Sequence, residues 1–578
     1  MNRATLLLSA LFLFSMIAHA GTESDLAPLA LRDTDGGYID FPGEKKRALV
    51  LFFADTTCPV ANRYVPTMNA ISEKFGPKDI EFVAVYPASS ELWPVARHVN
   101  EFKVNARAVL DVDGTLAKRF KPTVLSEVVV LGREMKLVYQ GRIDDQFTLG
   151  ESKSKATTHE LETVLNDTVE GRATHVIAKP ASGCAISGDD RKRNAGLTFT
   201  KDIGPLMKAN CASCHQQNGT APFSLTSYAE VVAMSPAMNV VLKEYRMPPW
   251  FADTSPTKFE HATSLSQADR FKIIDWIEGG TIRGKGDEPK WPHSKPGWAL
   301  GRPDRVIEIP APEPIPASGA GYFKEFAIDL GNKTDLWVDQ VEVKPDQVKA
   351  VHHIAVYTRK KGQLEPSEYE GERWGYFSAF VPGSGPTIFP KGFAKRIPAG
   401  HELLVNIHYV PYGAEIVDRS KIALYFSKSK RPTEVMTDSV RSKDFEIPPG
   451  VRFHTVNAEQ VLKDDILLRT IVPHAHFRGR AFTMKAIAPD GVITELLSVP
   501  KYTISWQAMY TLKSPVRLAK GTKLQCQVTY DNSERNIANP DPKKKVVFGP
   551  QSEDEMMFCY YDFLDAKSAA KVRTTTSR

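Results

Sequence analysis

The spacing of hydrophobic and polar positions changes along the chain and first indicates an α/β domain. Continuous apolar runs, typical of buried parallel strands, alternate there with helical patterns. The predicted elements are a strand at 48–54, a helix at 60–75, a strand at 80–86, a helix near 92–102 and strands at 127–131 and 136–139. This alternation predicts an α/β domain over residues 21–172.

The C-terminal part of the chain has the two-residue period of strands. Runs at 336–343, 402–408 and 523–530 alternate apolar and polar side chains, and turn signals at 449–450 and 489–491 separate such runs. Helical periodicity is scarce in this part, so we predict two all-β sandwich domains of a jelly-roll-like kind. Their predicted boundaries are 321–430 and 431–566.

Between these parts, residues 197–284 have helical spacing and predict a small all-α domain. A helix-like segment at 202–210 opens it, and an amphipathic helix at 267–278 closes it before a Gly-Gly stop. The remaining segments are a linker rich in small and charged residues (173–196), a proline-rich, semi-rigid linker (285–320) and a disordered basic tail (567–578). The chain is therefore predicted to be multidomain.

The first twenty residues (1–20) have the features of a secretory signal peptide. A weakly basic start precedes an apolar stretch at 6–17 and a small-x-small cleavage site at 18–20. No later apolar run reaches the roughly 18 residues that a membrane-spanning helix needs, so stable membrane insertion is not expected. The net charge of +6 is small for 578 residues and gives no reason to expect a nucleic-acid partner. We expect a periplasmic or secreted protein.

Two of the six cysteines belong to a five-residue motif, Cys211-Ala-Ser-Cys214-His215. This spacing is the signature of covalent c-type haem attachment, in which both thiols bond to the haem and the imidazole ligates its iron. On these residues the domain at 197–284 resembles a small cytochrome c domain. Three methionines are candidates for the sixth iron ligand: Met234, Met238 and, preferred for its Met-Pro-Pro-Trp run, Met247.

Cys58 follows the first predicted strand and starts the first predicted helix, where the helix dipole favours a thiolate. With this order of elements the domain resembles the thioredoxin-like domain of redoxins and peroxiredoxins. Ala61 stands where a thioredoxin has its second cysteine, Asp55 where a peroxiredoxin has a threonine, and Ser126 where a cis-proline is expected. Cys184 is then the candidate redox partner of Cys58. A purely structural bridge and a degenerate docking module are the alternatives.

Five histidines and one methionine of the all-β part are candidate metal ligands: His352, His353, His408, His474, His476 and Met556. Residues i and i+2 of a strand face the same side, so the His-x-His pair can share a metal with Met556. The two adjacent histidines would face opposite sides of a regular strand. Joint ligation with His408 therefore requires a backbone bend or different ring nitrogens. Copper suits imidazole and, when reduced, thioether, whereas zinc is an alternative at the three-histidine site.

The sequence around these residues resembles the copper type II ascorbate-dependent monooxygenases, which include peptidylglycine α-hydroxylating and dopamine β-monooxygenases. The resemblance covers residues 321–566 and is carried by Val-His-His-Ile, Val-Asn-Ile-His-Tyr, Pro-His-Ala-His-Phe-Arg-Gly and Asp-Glu-Met. The ligands it implies for an electron-transfer copper are His352, His353 and His408. The ligands it implies for a catalytic copper, which binds oxygen and faces substrate, are His474, His476 and Met556.

The resemblance further implies two copper ions, ascorbate or another one-electron reductant, and a disulfide between Cys526 and Cys559. One feature of the family is missing here. Ile471 and Val472 precede the His-x-His pair, where the family has a substrate-binding arginine. Neither a glycine-extended peptide nor a catecholamine is therefore assumed as the substrate.

Taken together, these features predict an exported copper monooxygenase that uses O₂ to hydroxylate a C–H bond of a small-molecule or peptide substrate. The fused haem is expected to relay electrons to the three-histidine copper. Two alternatives stay open on the sequence. One is a periplasmic electron-transfer or copper-binding protein. The other is a thiol-dependent redox protein centred on Cys58 that acts with a redox partner protein.

Overall fold

A computed structural model gives the fold of the chain from residue 27 to residue 567. Within that span it does not describe residues 44, 88–89, 149–150, 175, 187–193, 217–220, 222, 256, 261, 263–264, 292–296, 320, 363–374, 382–384, 505, 507 and 550. The predicted signal peptide and nearly all of the predicted tail lie outside the described residues. Among the described residues, no helix has the length and apolar character that crossing a membrane requires.

The N-terminal unit is the α/β domain that the sequence predicts. Its elements are β1 (Leu29–Arg32), β2 (Tyr38–Phe41), β3 (Ala48–Phe53), α1 (Pro59–Phe75), a 3₁₀ turn (Gly76–Lys78), β4 (Ile80–Tyr86), α2 (Leu92–Glu101), β5 (Arg107–Leu110), α3 (Thr115–Phe120), β6 (Val128–Gly132), β7 (Leu137–Gly141), β8 (Phe147–Thr148), β9 (Glu151–Ser152) and α4 (Glu160–Glu170). The central sheet has the order β5-β4-β3-β6-β7. Strands β3, β4 and β5 are parallel, and β6 and β7 are antiparallel. Strand β3 is buried along its whole length, which explains its uninterrupted apolar sequence.

A helical unit follows. Its elements are one π-helical turn (Phe199–Ile203), α5 (Gly204–Asn210), α6 (Tyr228–Lys243) and α7 (Gln267–Glu278). Helix α7 has the predicted bounds because Ser266 caps its first turn and Gly279 follows its last. One part of the predicted domain belongs elsewhere. Trp250 and Phe259 pack in the core of the second β-sandwich, since the chain between α6 and α7 lies against that sandwich.

The next unit is a β-sandwich. Its strands are β10 (Arg305–Glu308), β11 (Glu313–Ile315), β12 (Tyr322–Asp329), β13 (Leu336–Lys344), β14 (Val351–Lys360), β15 (Gly375–Phe380), β16 (Thr387–Ile388), β17 (Phe393–Ile397), β18 (His401–Tyr409), β19 (Ile416–Asp418), β20 (Lys421–Phe426) and β21 (Thr433–Glu434). One sheet has the order β10-β20-β13-β17-β21, with β16 beside β13, and the other has the order β12-β18-β14-β15. Both sheets contribute to a single apolar core.

The last unit is a second β-sandwich. Its strands are β22 (Met436–Ser442), β23 (Glu446–Ile447), β24 (His454–Val461), β25 (Ile466–His474), β26 (Gly479–Ile487), β27 (Ile493–Val499), β28 (Tyr510–Leu518), β29 (Lys523–Tyr530), β30 (Val546–Val547) and β31 (Met557–Asp565). Two four-stranded sheets, β22-β31-β25-β28 and β24-β29-β26-β27, enclose its core. The prediction of two all-β sandwiches is confirmed.

Both predicted linkers are in part packed structure, which corrects their predicted bounds. In the proline-rich segment, β10 pairs with β20 and β11 pairs with β19. Ile307, Ile309 and Ile315 are buried there, so apolar residues between the prolines anchor the segment to the first sandwich. In segment 173–196, Ala185 pairs with Val124 of the α/β unit.

Candidate metal centre

Three histidines of the first sandwich form a compact cluster on neighbouring strands β14 and β18. The candidate ligand atoms of His352, His353 and His408 all lie within 4.8 Å of one another. Val351 pairs with Tyr409 and His353 pairs with His408, so His352 is an extra, bulged residue of β14. A bulge bends the strand and redirects a side chain. Of the two predicted ways to bring adjacent histidines to one site, a backbone bend or different ring nitrogens, the structure shows the backbone bend.

The ring nitrogens of this cluster are short of hydrogen-bond partners. His353 is 1% exposed, and its Nε2 and the Nδ1 of His408 are buried without a partner among the described residues. Burial lowers the pKa of His353 well below the usual value, and burial with the charge of His352 lowers the pKa of His408 to about 4. A neutral imidazole whose ring nitrogen has a lone pair free of hydrogen bonds is the form of histidine that binds a metal. The cluster therefore fits a metal ion better than it fits a hydrogen-bond network.

Three residues, Phe323, Gly321 and Trp506, lie against the histidine cluster. The ring of Phe323 on β12 stacks on His408 at 4.4 Å between centroids. Gly321 lies so close that an added Cβ would be 2.9 Å from the Nε2 of His408. From the second sandwich, the Trp506 ring meets the His352 ring edge to face at 5.3 Å. The first two contacts fix the His408 ring, and the third joins the cluster to the other sandwich.

The His-x-His pair lies at the end of β25 in the second sandwich. His474 is the last residue of the strand and His476 lies in the loop beyond it, so strand geometry alone does not align them. Their rings are nevertheless 5.3 Å apart. The Nδ1 of His476 donates to the carbonyl oxygen of Asp554 at 3.1 Å, which leaves Nε2 as the ligand atom. Burial, with the charge of His474, lowers the pKa of His476 to about 3.

A buried carboxylate fixes this loop. Glu555 is fully buried and accepts hydrogen bonds from the backbone N–H groups of His476, at 2.8 Å, and Arg478, at 2.6 Å. Burial raises the pKa of Glu555 to about 8, although these two N–H groups oppose the shift. Sequence reasoning missed Glu555 and Arg478. Their only signal was their place inside the two motifs that carry the ligands.

Met556 lies beside the strand end that carries His474. It directly precedes β31, in which Phe558 pairs with His474. The Met556 side chain is 9% exposed and packs in an apolar cluster with Val472 and Tyr560, and its carbonyl oxygen accepts a hydrogen bond from the Tyr530 hydroxyl at 2.7 Å. The structure thus brings the predicted thioether to the His-x-His region.

The two histidine sites face each other across the boundary between the sandwiches. His353 of the first sandwich and His474 of the second line one narrow cavity, together with Tyr376. The Tyr376 hydroxyl is buried without a hydrogen-bond partner among the described residues. Nearby, the buried Lys395 ammonium and Asp562 carboxylate pair at 2.9 Å and join the two sandwiches. The sites are therefore held in a defined relation to each other.

The Cys-x-x-Cys-His segment directly follows α5. The Nδ1 of His215 donates to the carbonyl oxygen of Phe223 at 3.1 Å, which directs Nε2 away from the backbone. Burial lowers the pKa of His215, and burial raises the pKa of Cys211 to about 12, with the charge of Cys214 adding to the rise. The Sγ of Cys211 lies 3.8 Å from the Sδ of Met207.

A cavity of about 180 Å³ lies between this segment and the two sandwiches. Cys214, Trp250 and Trp506 are among its lining residues. The indole N–H of Trp250 is buried and unpaired within the described part of the chain. Met247 is 37% exposed and precedes two prolines that line the same cavity. Its rivals Met238 and Met234 pack in or against the helical core instead.

The remaining predicted cysteine pairs are close but not bonded, and all six cysteines are free thiols in this structure. Cys526 and Cys559 are fully buried, and interaction with the Cys559 thiol raises the pKa of Cys526 well above its usual value. Cys58 caps α1, its Sγ accepting from the N–H of Ala61 at 3.5 Å, and the nearby Cys58 thiol raises the pKa of Cys184. Both disulfides stay predictions.

Two family models match the chain. Residues 440–575 match the copper type II ascorbate-dependent monooxygenase, C-terminal domain, and residues 22–165 match Redoxin. The chain therefore contains a redoxin domain and, in its second sandwich, the C-terminal domain of this monooxygenase family. No curated protein matches the chain.

Solved structures with some likeness to the chain cover about a quarter of it. A hypothetical protein from Sinorhizobium meliloti is 20% identical, covers 28% of this chain and 90% of its own, and has a TM-score of 0.26. An uncharacterized conserved protein from Geobacillus kaustophilus is 22% identical, covers 29% and 93%, and has a TM-score of 0.25. StoA from Bacillus subtilis is 19% identical, covers 20% and 87%, and has a TM-score of 0.19.

Proposed function

We propose that the protein is an exported monooxygenase with two copper ions that hydroxylates a C–H bond of a small-molecule or peptide substrate with O₂. The observation that supports this most strongly is the three-histidine cluster with its orphaned, buried ring nitrogens. A second set of two histidines and a methionine faces it across one cavity. The matched monooxygenase domain contains that second set.

The two sites differ in their donor atoms, and the donors indicate the metal. The first site offers imidazole nitrogen only, which suits copper and also zinc. The second site adds the thioether of Met556, which favours reduced copper and does not suit zinc. Because the second site calls for copper and residues of both sites line one cavity, copper is the metal that we assign to both. His352, His353 and His408 would hold the first ion, and His474, His476 and Met556 the second.

Bound copper would supply one-electron chemistry and the activation of O₂. The chain's own contribution is to position and enclose the reaction. Glu555 holds the His-x-His loop, and the apolar cluster around Met556 excludes water from the sulfur side. Tyr376 places a buried hydroxyl between the two sites. The Tyr376 hydroxyl would orient a substrate in this cavity without supplying charge.

We also propose a c-type haem, held by Cys211 and Cys214 through thioether bonds and by His215 and Met247 as iron ligands. Three observations favour it. The His215 ring is oriented by the Phe223 carbonyl oxygen, as metal-bound imidazoles usually are. Cys214 lines a cavity whose walls include the apolar side chains of Trp250, Phe389 and Met509 as well as polar ones. Arg270, a buried cation with an unpaired Nε–H among the described residues, lies near enough for its charge to act on Cys211.

This haem would give the first copper site an internal electron donor. Cys214 and Trp506 line the same cavity, and Trp506 contacts the His352 ring. A shared cavity and one aromatic contact thus lie between the haem attachment segment and the three-histidine cluster. Ascorbate or another one-electron reductant would reduce the haem from outside. Haem attachment and any disulfides also agree with export to an oxidising compartment.

Metal analysis of the purified full chain tests this proposal. Copper and haem iron are counted for the wild type, for His353→Ala and for His474→Ala. We expect two coppers and one haem per chain in the wild type, and one copper and one haem in each variant. Zinc at the three-histidine site, or an unchanged copper count in either variant, would contradict the proposal.

An electron-transfer or copper-storage protein is the competing function, because it needs the same histidines. The two functions differ at Met556, whose thioether a storage site does not require. Storage alone would show copper binding and haem reduction with no oxygen-dependent product under any reductant. The proposed enzyme shows all three.

A further inference from the structure

The Cys58–Cys184 pair takes no part in either histidine site or in the haem segment. Cys58 is 1% exposed at the start of α1, whereas Cys184 is partly exposed. The Cys58 thiol lies near enough to raise the pKa of Cys184, although 126 positions separate the two residues in the chain. Cys184 also packs against the apolar cluster that contains Cys58.

Segment 182–185 lies as a short extra strand beside residues 124–126 of the redoxin domain. The N–H of Leu125 donates to the carbonyl oxygen of Cys184 at 2.8 Å, and Val124 pairs with Ala185 in antiparallel orientation. On the other side of Cys184, the Ser126 hydroxyl donates to the Ser182 carbonyl oxygen at 2.9 Å. The backbone of Cys184 is thus held from both sides.

Gly183 makes this close approach feasible. A Cβ built at Gly183 would lie 1.9 Å from the carbonyl oxygen of Leu125, a contact that only a residue without a side chain avoids. Gly183, next to Cys184, therefore allows this segment to lie directly against Leu125. The position of Cys184 beside Cys58 is specified by this fit and by the hydrogen bonds.

We propose that Cys58 and Cys184 form a reversible dithiol–disulfide couple that exchanges with a thiol or disulfide of another molecule. In the oxidising direction, the Cys184 thiolate attacks a partner disulfide and releases one partner thiol. Cys58 then attacks the Cys184 sulfur of the mixed disulfide and releases the second partner thiol. The pair loses two electrons and two protons, and the partner disulfide gains them as two thiols.

The exposures of the two sulfurs assign their roles. Cys184 is the entry point, because an outside sulfur can reach it while Cys58 is buried. When a partner thiolate reduces the disulfide, it attacks Cys184 and Cys58 leaves as a thiolate. The Ala61 N–H at 3.5 Å and the N-terminus of α1 stabilise that leaving group. The couple is independent of the copper proposal.

The test equilibrates the full chain in mixtures of reduced and oxidised glutathione, quenches it with acid and blocks free thiols before peptide mass mapping. We expect a cross-linked peptide joining Cys58 to Cys184, whose fraction rises with oxidised glutathione and falls again on reduction. In Cys58→Ser, a glutathione adduct should accumulate on Cys184. In Cys184→Ser, Cys58 should stay unmodified because it is buried.

A matched pair of glycine variants tests the extra strand itself. Gly183→Ala should make the disulfide about tenfold easier to reduce in the same buffers, because its Cβ displaces the strand. Gly76→Ala is the control, since a Cβ there meets nothing within 4 Å. The proposal is overturned if no reversible Cys58–Cys184 peptide forms in the wild type, if Cys58 takes up glutathione in Cys184→Ser, or if the two glycine variants behave alike.

Discussion

The two histidine sites begin from similar β-sandwiches but are held in different ways. The three-histidine cluster is built within one sheet, with its ligands on adjacent strands and a bulge supplying the third imidazole. The second site lies where strand β25 ends, and a buried carboxylate and a backbone carbonyl position its loop. Ligands on adjacent strands of a sheet keep their geometry when the charge of a bound metal ion changes. A site at the end of a strand leaves room for a substrate. This contrast agrees with electron storage at the first site and chemistry at the second.

Loss of the Met556 thioether should have the largest effect and should separate the roles of the two histidine sites most clearly. In Met556→Leu we expect oxygen-dependent product formation to fall by more than about 100-fold, because losing even an outer hydrogen-bond partner of a metal ligand costs about 10–100-fold. Reduction of the proposed haem by ascorbate should persist. Oxygen uptake and product are measured with the reduced protein and a cell extract of the source organism. Met484→Leu, a buried methionine whose sulfur contacts Cys559 instead, is the control.

The next variant acts on the first site alone. Gly321→Ala places a Cβ 2.9 Å from the Nε2 of His408 and should displace that ring. We expect copper binding at the three-histidine site to weaken by about tenfold to 100-fold, while the second site keeps its affinity. Competitive chelator titration measures both. Gly385→Ala, in the same sandwich with nothing within 4 Å of its Cβ, should behave as the wild type.

A corresponding variant, Glu555→Gln, acts on the second site as Gly321→Ala acts on the first. Glu555→Gln keeps the shape of the side chain but weakens its acceptance of the His476 and Arg478 N–H groups. We expect copper affinity at the second site to fall by about tenfold, with the first site unchanged. The same titration reports the result. Equal losses at both sites would show that Glu555 supports the fold as a whole and not this loop.

The smallest expected effect is at Trp506, which lies between the three-histidine cluster and the Cys-x-x-Cys-His segment. Trp506→Phe removes part of the ring that contacts His352 and should slow haem-to-copper electron transfer severalfold. Anaerobic stopped-flow absorbance, with reduced haem and cupric protein, follows this step directly. Trp298→Phe is the matched control, because the Trp298 ring contacts Lys344 of the first sandwich and not a histidine of the cluster. Identical rates in the two variants would remove Trp506 from the electron path.

Much of this arrangement could be predicted from the sequence because its signals are local. A short stretch of sequence is enough to predict each of three features: the buried strand β3, the bounds of α7 and the strand period of β29. The candidate ligands could be named for the same reason, since each lies in a recognisable motif; that they bind metal stays a prediction. A backbone bend at the two adjacent histidines was one of two alternatives that the sequence left open, and the structure has a bulge at His352.

The missed features depend on partners that are distant in the sequence. Gly321 matters only because it lies beside His408, and Glu555 only because it reaches the loop of His476. Strands β10 and β11 were hidden because prolines suggest a spacer, whereas their isoleucines are buried by strands a hundred residues later. Such pairings are set by tertiary packing, which a single sequence does not display.

The central claim is that the chain holds two chemically distinct copper sites, only one of them with a sulfur ligand. X-ray absorption at the copper edge of the reduced protein tests it most directly. The account predicts a copper–sulfur shell of one sulfur per two coppers in the wild type, absent in Met556→Leu and retained in Met484→Leu. A spectrum without sulfur in the wild type, or a sulfur shell that survives in Met556→Leu, would contradict it.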